Sequence, residues 1–317
     1  MSEKMSEVYE AYDMEILGAV RGRGSMILKT DRGIRQISPF DGSEERLEQE
    51  REFKENLYET GFHHIDCCVP NREGELITCD RYGNPYVMRE YFEGRECNSG
   101  SICDLNQAAA NLAVFHIRGR ELYAKEGRTY AYREPGNFRR KTQEMKKIRS
   151  FISKRPTKND FELLYIEAYD AFYRQAIDCQ AMMDACDRTN IAGHIGYCHG
   201  AYNYHSVLFC GGYLATVNFD RFHVGYQLID LYQFIRKVME KNNYNFDMAV
   251  KIIEEYDRIL PLTREDYRYI YILYSYPEKF WKIANSYYHS NKAWISIKSI
   301  EKLNTSIKQT EEKKRFL

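Results

Sequence analysis

Side chains able to do chemistry gather in one stretch of this chain. Cys198, His199, Asn203, His205, Ser206, Asn218 and Asp220 fall there among apolar and aromatic residues. Histidine exchanges a proton near neutral pH, and a carboxylate is a hard ligand for a divalent cation, so acid–base work and metal binding are the chemistries to weigh. A second candidate is Gly22-Arg23-Gly24. Gly-x-Gly can cradle phosphate, but the third glycine of a phosphate loop is missing, and between strands the pattern is more often only a turn. Arg21 and Arg23 beside it would meet an anionic ligand or a partner. The nine cysteines are an odd number in irregular positions, with Cys67-Cys68 adjacent and no Cys-x-x-Cys, so reduced thiols are expected rather than a metal ligand set.

The elements that must carry these residues change character along the chain. Residues 15–20 and 25–30 alternate like strands around the turn at 21–24, and Asp31-Arg32-Gly33 leads into a third strand over 34–37. Ser43 followed by Glu44-Glu45 reads as the capped start of a helix reaching about Tyr58, stopped by Gly61. Two further strands, 75–79 and 86–91, flank the turn Tyr82-Gly83-Asn84-Pro85. Beyond Gly94 three helical stripes follow, each read as core. The first is Leu105, Ala108, Ala109, Leu112, Ala113 and His116. The second runs through Phe161, Leu164, Tyr165, Ala168, Phe172, Ala176 and Met183, and the third through Leu228, Leu231, Tyr232, Ile235, Val238 and Met239. A glycine-punctuated β segment, 196–222, lies between the last two. Residues 301–317 are polar and lysine-rich, expected as a surface helix or frayed tail. The order predicts an α+β, bilobal fold: an N-terminal β-rich lobe over 1–92 with one helix, a hinge at 91–94, and a larger, mainly helical lobe over 93–317.

The run from Cys198 through His199-Gly200-Ala201-Tyr202-Asn203-Tyr204-His205-Ser206 to Val207-Leu208-Phe209 resembles the catalytic loop of aminoglycoside phosphotransferase and choline kinase-like enzymes. Val217-Asn218-Phe219-Asp220 is similar to their metal-binding segment, and Gln227-Leu228-Ile229-Asp230-Leu231-Tyr232 to the helix start that follows. A closer resemblance, to the kinase-like CotS family of spore coat proteins, rests on several motifs. They are Gly22-Arg23-Gly24, Gly42-Ser43-Glu44-x-Arg46-Leu47, Tyr91-Phe92-Glu93-Gly94-Arg95-Glu96-Cys97, Leu112-Ala113-x-Phe115-His116, Tyr276-Pro277-Glu278-Lys279-Phe280-Trp281-Lys282 and Lys292-Ala293-Trp294-Ile295.

The resemblance implies a protein-kinase-like fold with degenerate catalytic motifs. Phosphoryl transfer needs a carboxylate to accept a proton, oxygen ligands for Mg²⁺ and a cation over the phosphates. Ala201 stands where the proton acceptor would be, Ser206 and Asn218 where the metal ligands would be, and Ser38 where the strand lysine would be, with Arg35 and Lys29 pointing elsewhere if strand alternation holds. No catalytic residue and no bound metal are therefore expected. Gly22, Gly24, Glu90, Phe92, His199, Asn203, His205 and Asp220 are candidate remnants of a nucleotide cleft, His199 in a structural role, and Asp230 would cap the loop backbone from below. Without a strand lysine to pair with, Glu45 and Glu50 are expected on a solvated helix face. Trp281 and Trp294 are core or an interface anchor.

The implied function is an inactive scaffold, built in the mother-cell cytoplasm and recruited into the spore coat, with other coat proteins as partners. The alternative is a nucleotide-binding pseudokinase, or a phosphotransferase rewired with Asp220 as metal ligand and His205 as base, using ATP and Mg²⁺. Forty-six Lys and Arg balance 46 Asp and Glu, so no nucleic-acid partner is expected. No apolar run nears the roughly 20 residues that span a bilayer, and the acidic N-terminus shows no secretory signal.

Overall fold

The computed structural model describes residues 3–22, 24–127, 137–186, 193–289, 297–310 and 313. In chain order the elements are α1 (Glu3–Glu10), β1 (Ile16–Arg21), β2 (Met26–Thr30), β3 (Gly33–Pro39), α2 (Glu44–Glu59), β4 (Cys68–Val69), β5 (Ile77–Cys79), β6 (Pro85–Glu90), β7 (Arg95–Glu96) and α3 (Ile102–Glu126). They continue with α4 (Phe138–Ser153), α5 (Asp160–Asp184), β8 (Ile195–Cys198), β9 (Val207–Phe209), β10 (Leu214–Thr216), β11 (His223–Tyr226), α6 (Leu228–Lys241), α7 (Phe246–Ile259), α8 (Arg264–Ser275), α9 (Glu278–Tyr288) and α10 (Ile297–Lys308). The chain packs as two compact units, Met1–Gly127 with Tyr197–His223, and Arg128–Gly196 with Val224–Leu317.

The first unit is built on an antiparallel sheet ordered β1-β2-β3-β6-β4, with β5 pairing β6 as a sixth strand. Both turns around β2 lie where the glycines predict them: Gly22 N–H donates to Ser25 O, closing the β1–β2 turn, and the β2–β3 pairing starts at Thr30 and Gly33. Arg23 lies outside the described residues. Ser43 caps α2, its hydroxyl accepting from the Arg46 N–H at 3.4 Å. The order of elements predicts one helix in this lobe; the structure adds α1. Val8, Tyr9 and Tyr12 from that segment are buried against Leu28, Ile37 and Met88 of the sheet. The acidic run around them conceals an i, i+1, i+4 apolar face. α3 buries the whole stripe expected of it, from Leu105 to His116. β9 and β10 form a hairpin extended by β7.

The second unit is helical. α4 packs on α5 and α9, α5 on α8, and α6 on α8. α5 buries Phe161, Tyr165, Phe172, Ala176 and Met183 as expected, and adds Glu162, a carboxylate the stripe does not foretell. Glu162 closes a capping box with Asn159 and pairs with Arg155 at 3.0 Å, which explains how a charge is tolerated there. Expected as a surface helix or frayed tail, the C-terminal region forms α10, which packs on α5 and α9 with Leu303 buried. Trp281 is half-buried, its indole N–H donating to Glu144 at 2.8 Å. Trp294 and the motif around it lie outside the described residues.

Candidate functional site

The chemistry-bearing loop and the segment after it both lie in the first unit. Gly200 adopts φ +77°, and a Cβ on it would sit 2.0 Å from the Arg221 carbonyl oxygen. Only glycine fits that approach. The turn sends His199 inward, where it is fully buried. Its Nε2 lies 3.0 Å from Val217 O and its Nδ1 accepts from the Ala201 N–H at 3.2 Å. The ring therefore has a fixed tautomer, with Nε2–H donating, and it packs 4.5 Å from the Phe219 ring. Ala201 presents only a methyl. Asn203 folds back on the loop: its Nδ2 donates to Ala201 O at 2.6 Å, its Oδ1 accepts from the His205 N–H, and its own N–H donates to Ser206 Oγ. Ser206 Oγ in turn donates to Asn203 O at 2.8 Å. The loop thus uses its polar side chains to hold its own backbone.

The Asn218 segment is gripped from α2 and the strand-like stretch after it. Asn218 has φ +70°, a left-handed conformation that asparagine adopts more readily than most residues, and its N–H donates to Asp66 Oδ2 at 2.9 Å. Phe219 is fully buried among Phe53, Phe115 and His199. Arg46 donates to the carbonyls of Asp220 and Phe222, at 3.3 and 2.7 Å, with its guanidinium over the Phe222 ring.

Behind this segment lies a buried quartet of charges, where the sequence predicts a solvated helix face. Glu50, expected on a solvated face, is 4% exposed, and Lys54 one turn later is 0% exposed; Glu45 is exposed as expected. Lys54 Nζ donates to Glu50 Oε1 at 2.6 Å and to Asp66 O at 2.7 Å, and lies 2.8 Å from Asp66 Oδ1. Arg89 on β6 forks onto both Glu50 oxygens at 3.3 and 3.2 Å. The acid on α2 does have cationic partners; they come from its own helix and from β6, not from β3. The missed signal is the i, i+4 Glu50–Lys54 spacing beside the apolar positions Leu47, Phe53 and Leu57.

Two acids and two bases make the quartet neutral, and that is what makes its burial tolerable. Burial works against the Lys54 ammonium, but Asp66 and Glu50 more than offset it and push the group up to about 12. Burial likewise works against ionised Glu50, yet Lys54 and Arg89 hold its carboxyl below the usual range. The Lys54 contribution to stability is therefore complete below the unfolded lysine value of ~10.4 and lost as pH rises through about 12. That of Glu50 is complete above the unfolded value of ~4.3 and lost as pH falls through its lower folded value. Glu50→Gln is accordingly expected to lose less stability than the parent chain between about pH 5 and pH 3. Urea unfolding at the two pH values measures it, and equal losses would remove Glu50 from the acid limb.

The remaining candidates are dispersed. Ser38 is half-buried on β3 opposite Val87. Lys29 is exposed, and Arg35 faces Glu90 across the β3–β6 pair while donating to Ile34 O and Arg32 O. Burial, first of all, raises the Glu90 carboxyl. Gly22 and Gly24 belong to the closed turn. Phe92 lies edge-on to Tyr213 and His64, which stack on each other at 4.0 Å. His205 is exposed and its Nδ1 lies 2.5 Å from Glu96 Oε2; the acid it meets is on β7 and is not Asp220, whose side chain is exposed. Asp230 is fully buried in the first turn of α6, in the second unit.

Phosphoryl transfer, the chemistry the loop's resemblance implies, calls for Mg²⁺, which asks for hard anionic oxygens. The donors present do not fit it: a neutral amide at Asn218, and at Ser206 a buried hydroxyl already engaged with Asn203. Among the described residues no three His, Cys, Asp or Glu side chains gather as a metal-binding group.

A family model described as spore coat putative kinase YutH matches residues 5–317. No curated protein matches significantly. Among solved structures, an aminoglycoside phosphotransferase from Alicyclobacillus acidocaldarius is similar with a TM-score of 0.79 at 17% identity, over 97% of this chain and 92% of that one. AMP-bound spectinomycin phosphotransferase APH(9)-Ia is similar with a TM-score of 0.70 at 10% identity, over 98% and 96%. Choline kinase LicA from Streptococcus pneumoniae matches with a TM-score of 0.51 at 15% identity, over 97% and 96%. At such identities the likeness establishes the fold, which is that of the protein-kinase-like phosphotransferases.

Proposed function

This chain belongs to the spore coat putative kinase YutH family, and on that premise we propose that it is a kinase-like scaffold of the spore coat that transfers no phosphate. The observation that carries the reading is the loop at 199–206. The position of the proton acceptor is a methyl group, Ala201, and the side chains around it are spent on the loop's own backbone. General acid–base assistance typically contributes ~10²–10⁴ in rate, and metal charge neutralisation several kcal/mol more. A site with neither has binding and positioning left. Its partners are then other coat proteins, and its place of work is the coat.

The alternative is a nucleotide-binding pseudokinase or a rewired phosphotransferase built on His205 and Asp220. Its support is the fold, together with a histidine that Glu96 holds by Nδ1 at an exposed position. One experiment separates the readings. With ATP and Mg²⁺ each at about 100 times a binding constant, a true ligand adds ~2.7 kcal/mol of stability and raises the melting temperature. The scaffold reading expects no Mg²⁺-dependent rise and no ATP turnover. A rise that requires Mg²⁺, with turnover abolished in Asp220→Ala, would overturn it, whereas a rise with ATP alone would make the protein a nucleotide binder.

A further inference from the structure

β1 ends the six-stranded sheet, and among the described residues its outer edge pairs with no other strand. Exposed edges present a row of unpaired N–H and C=O groups, which proteins usually guard with lysine, proline, a bulge or a covering element. From Ile16 to Val20 this edge has neither charge nor proline. It does have a bulge: the register against β2 shifts between Ile16 and Gly18, leaving Leu17 as the extra residue. A bulge re-aims side chains, and here it gives the strand two coherent faces. Ile16 and Ala19 pack on the cluster of Val8, Tyr9, Tyr12, Leu28, Ile37 and Met88. Leu17 and Val20 point the other way, 58% and 63% exposed, among the most exposed large apolar side chains described.

The order of charges identifies what covers this edge. Glu15 precedes the apolar run and Arg21 closes it, and both are exposed. A strand with an acid at its start and a base at its end, apolar between, is complementary to itself in the antiparallel sense. Antiparallel pairing about a two-fold axis near Gly18 brings the exposed Leu17 and Val20 of both copies to one seam. It also brings the Glu15 end of each beside the Arg21 end of its mate. We propose that β1 is a homodimerisation edge, joining two copies of this chain through an antiparallel β1–β1 pair into one continuous sheet. Such isologous pairing is the commonest route to a closed dimer.

The test is sedimentation velocity on the full chain from about 1 to about 200 µM, a range in which a weak homodimer shows its concentration dependence. The expected result is a shift from the monomer mass towards twice that mass. Val20→Lys, which installs the usual edge guard at an exposed position, is expected to abolish the shift and leave the thermal melt unchanged. Glu15→Arg alone and Arg21→Glu alone are each expected to weaken the dimer about three- to tenfold, and the two together to restore it, since the swapped charges are again complementary. A chain that stays monomeric throughout, a dimer that survives Val20→Lys, or a double swap as weak as the single variants would each overturn the proposal. The outcome is independent of whether the protein binds nucleotide.

Discussion

Lys54→Met is expected to lower the stability of the first unit by about 3–5 kcal/mol, the usual consequence of removing one partner from a buried ion pair. The ammonium touches Glu50 and Asp66 at 2.6–2.8 Å with no exposure to water. Without it Glu50 retains Arg89, but Asp66 is left as a buried carboxylate without a cation in contact. The remaining three groups, two acids and one base, then carry an uncompensated negative charge in a medium that solvates it poorly. Because two compact units need not unfold together, the readout is hydrogen exchange at the Asn218 and Phe219 amides rather than a global melt. Exchange there should speed up by two orders of magnitude or more, in line with that loss. Lys54→Met combined with Asp66→Asn should recover part of the stability, because the stranded charge has gone. A loss below about 1 kcal/mol in the single variant would mean that water reaches the carboxylates and that they were never dry.

Gly200→Ala is expected to cost about 2–4 kcal/mol, from two additive sources. A left-handed φ of +77° penalises any residue with a Cβ by roughly 1–2 kcal/mol. The methyl would also stand 2.0 Å from the Arg221 carbonyl oxygen, against an ordinary contact of about 3.4 Å, so backbone has to move. Gly211→Ala provides the control, since Gly211 has φ +61° with nothing within 4 Å of the added carbon. Urea denaturation of both variants isolates the clash as the difference between them. Equal losses would show that the loop relaxes freely and that the close approach to Arg221 constrains nothing.

Much of the architecture was legible because it rests on short-range rules. Ser43 caps α2, the α3 and α6 stripes are buried as their period requires, and the glycine turns on either side of β2 set its pairing. The parts that escaped depend on what comes near in space. α1 reads as an acidic leader until Val8 and Tyr12 find the sheet. Glu50 looks solvated until Lys54, Asp66 and Arg89, from three separate places in the chain, close around it. His205 has an acid partner, but Glu96 lies 109 residues away in sequence and no local spacing announces it. The substituted positions Ala201, Ser206, Asn218 and Ser38 could be named from the sequence because a motif fixes their order. How Asn203 and Ser206 bind the loop backbone could not, since that depends on torsions no motif records.

The buried quartet also constrains how α2 sits. Glu50 and Lys54 occupy one stripe of the helix, while their counter-charges are anchored elsewhere, Arg89 on β6 and Asp66 on the stretch that leads into β4. Sliding the helix by one residue would swing that stripe through about 100°, leaving Arg89 and Asp66 without mates under a layer of hydrocarbon. An all-apolar face tolerates such a slip by repacking; this one admits a single angular setting. The charges thus act less as glue than as a key, fixing the orientation from which Arg46 and Phe53 reach the residues around Phe219.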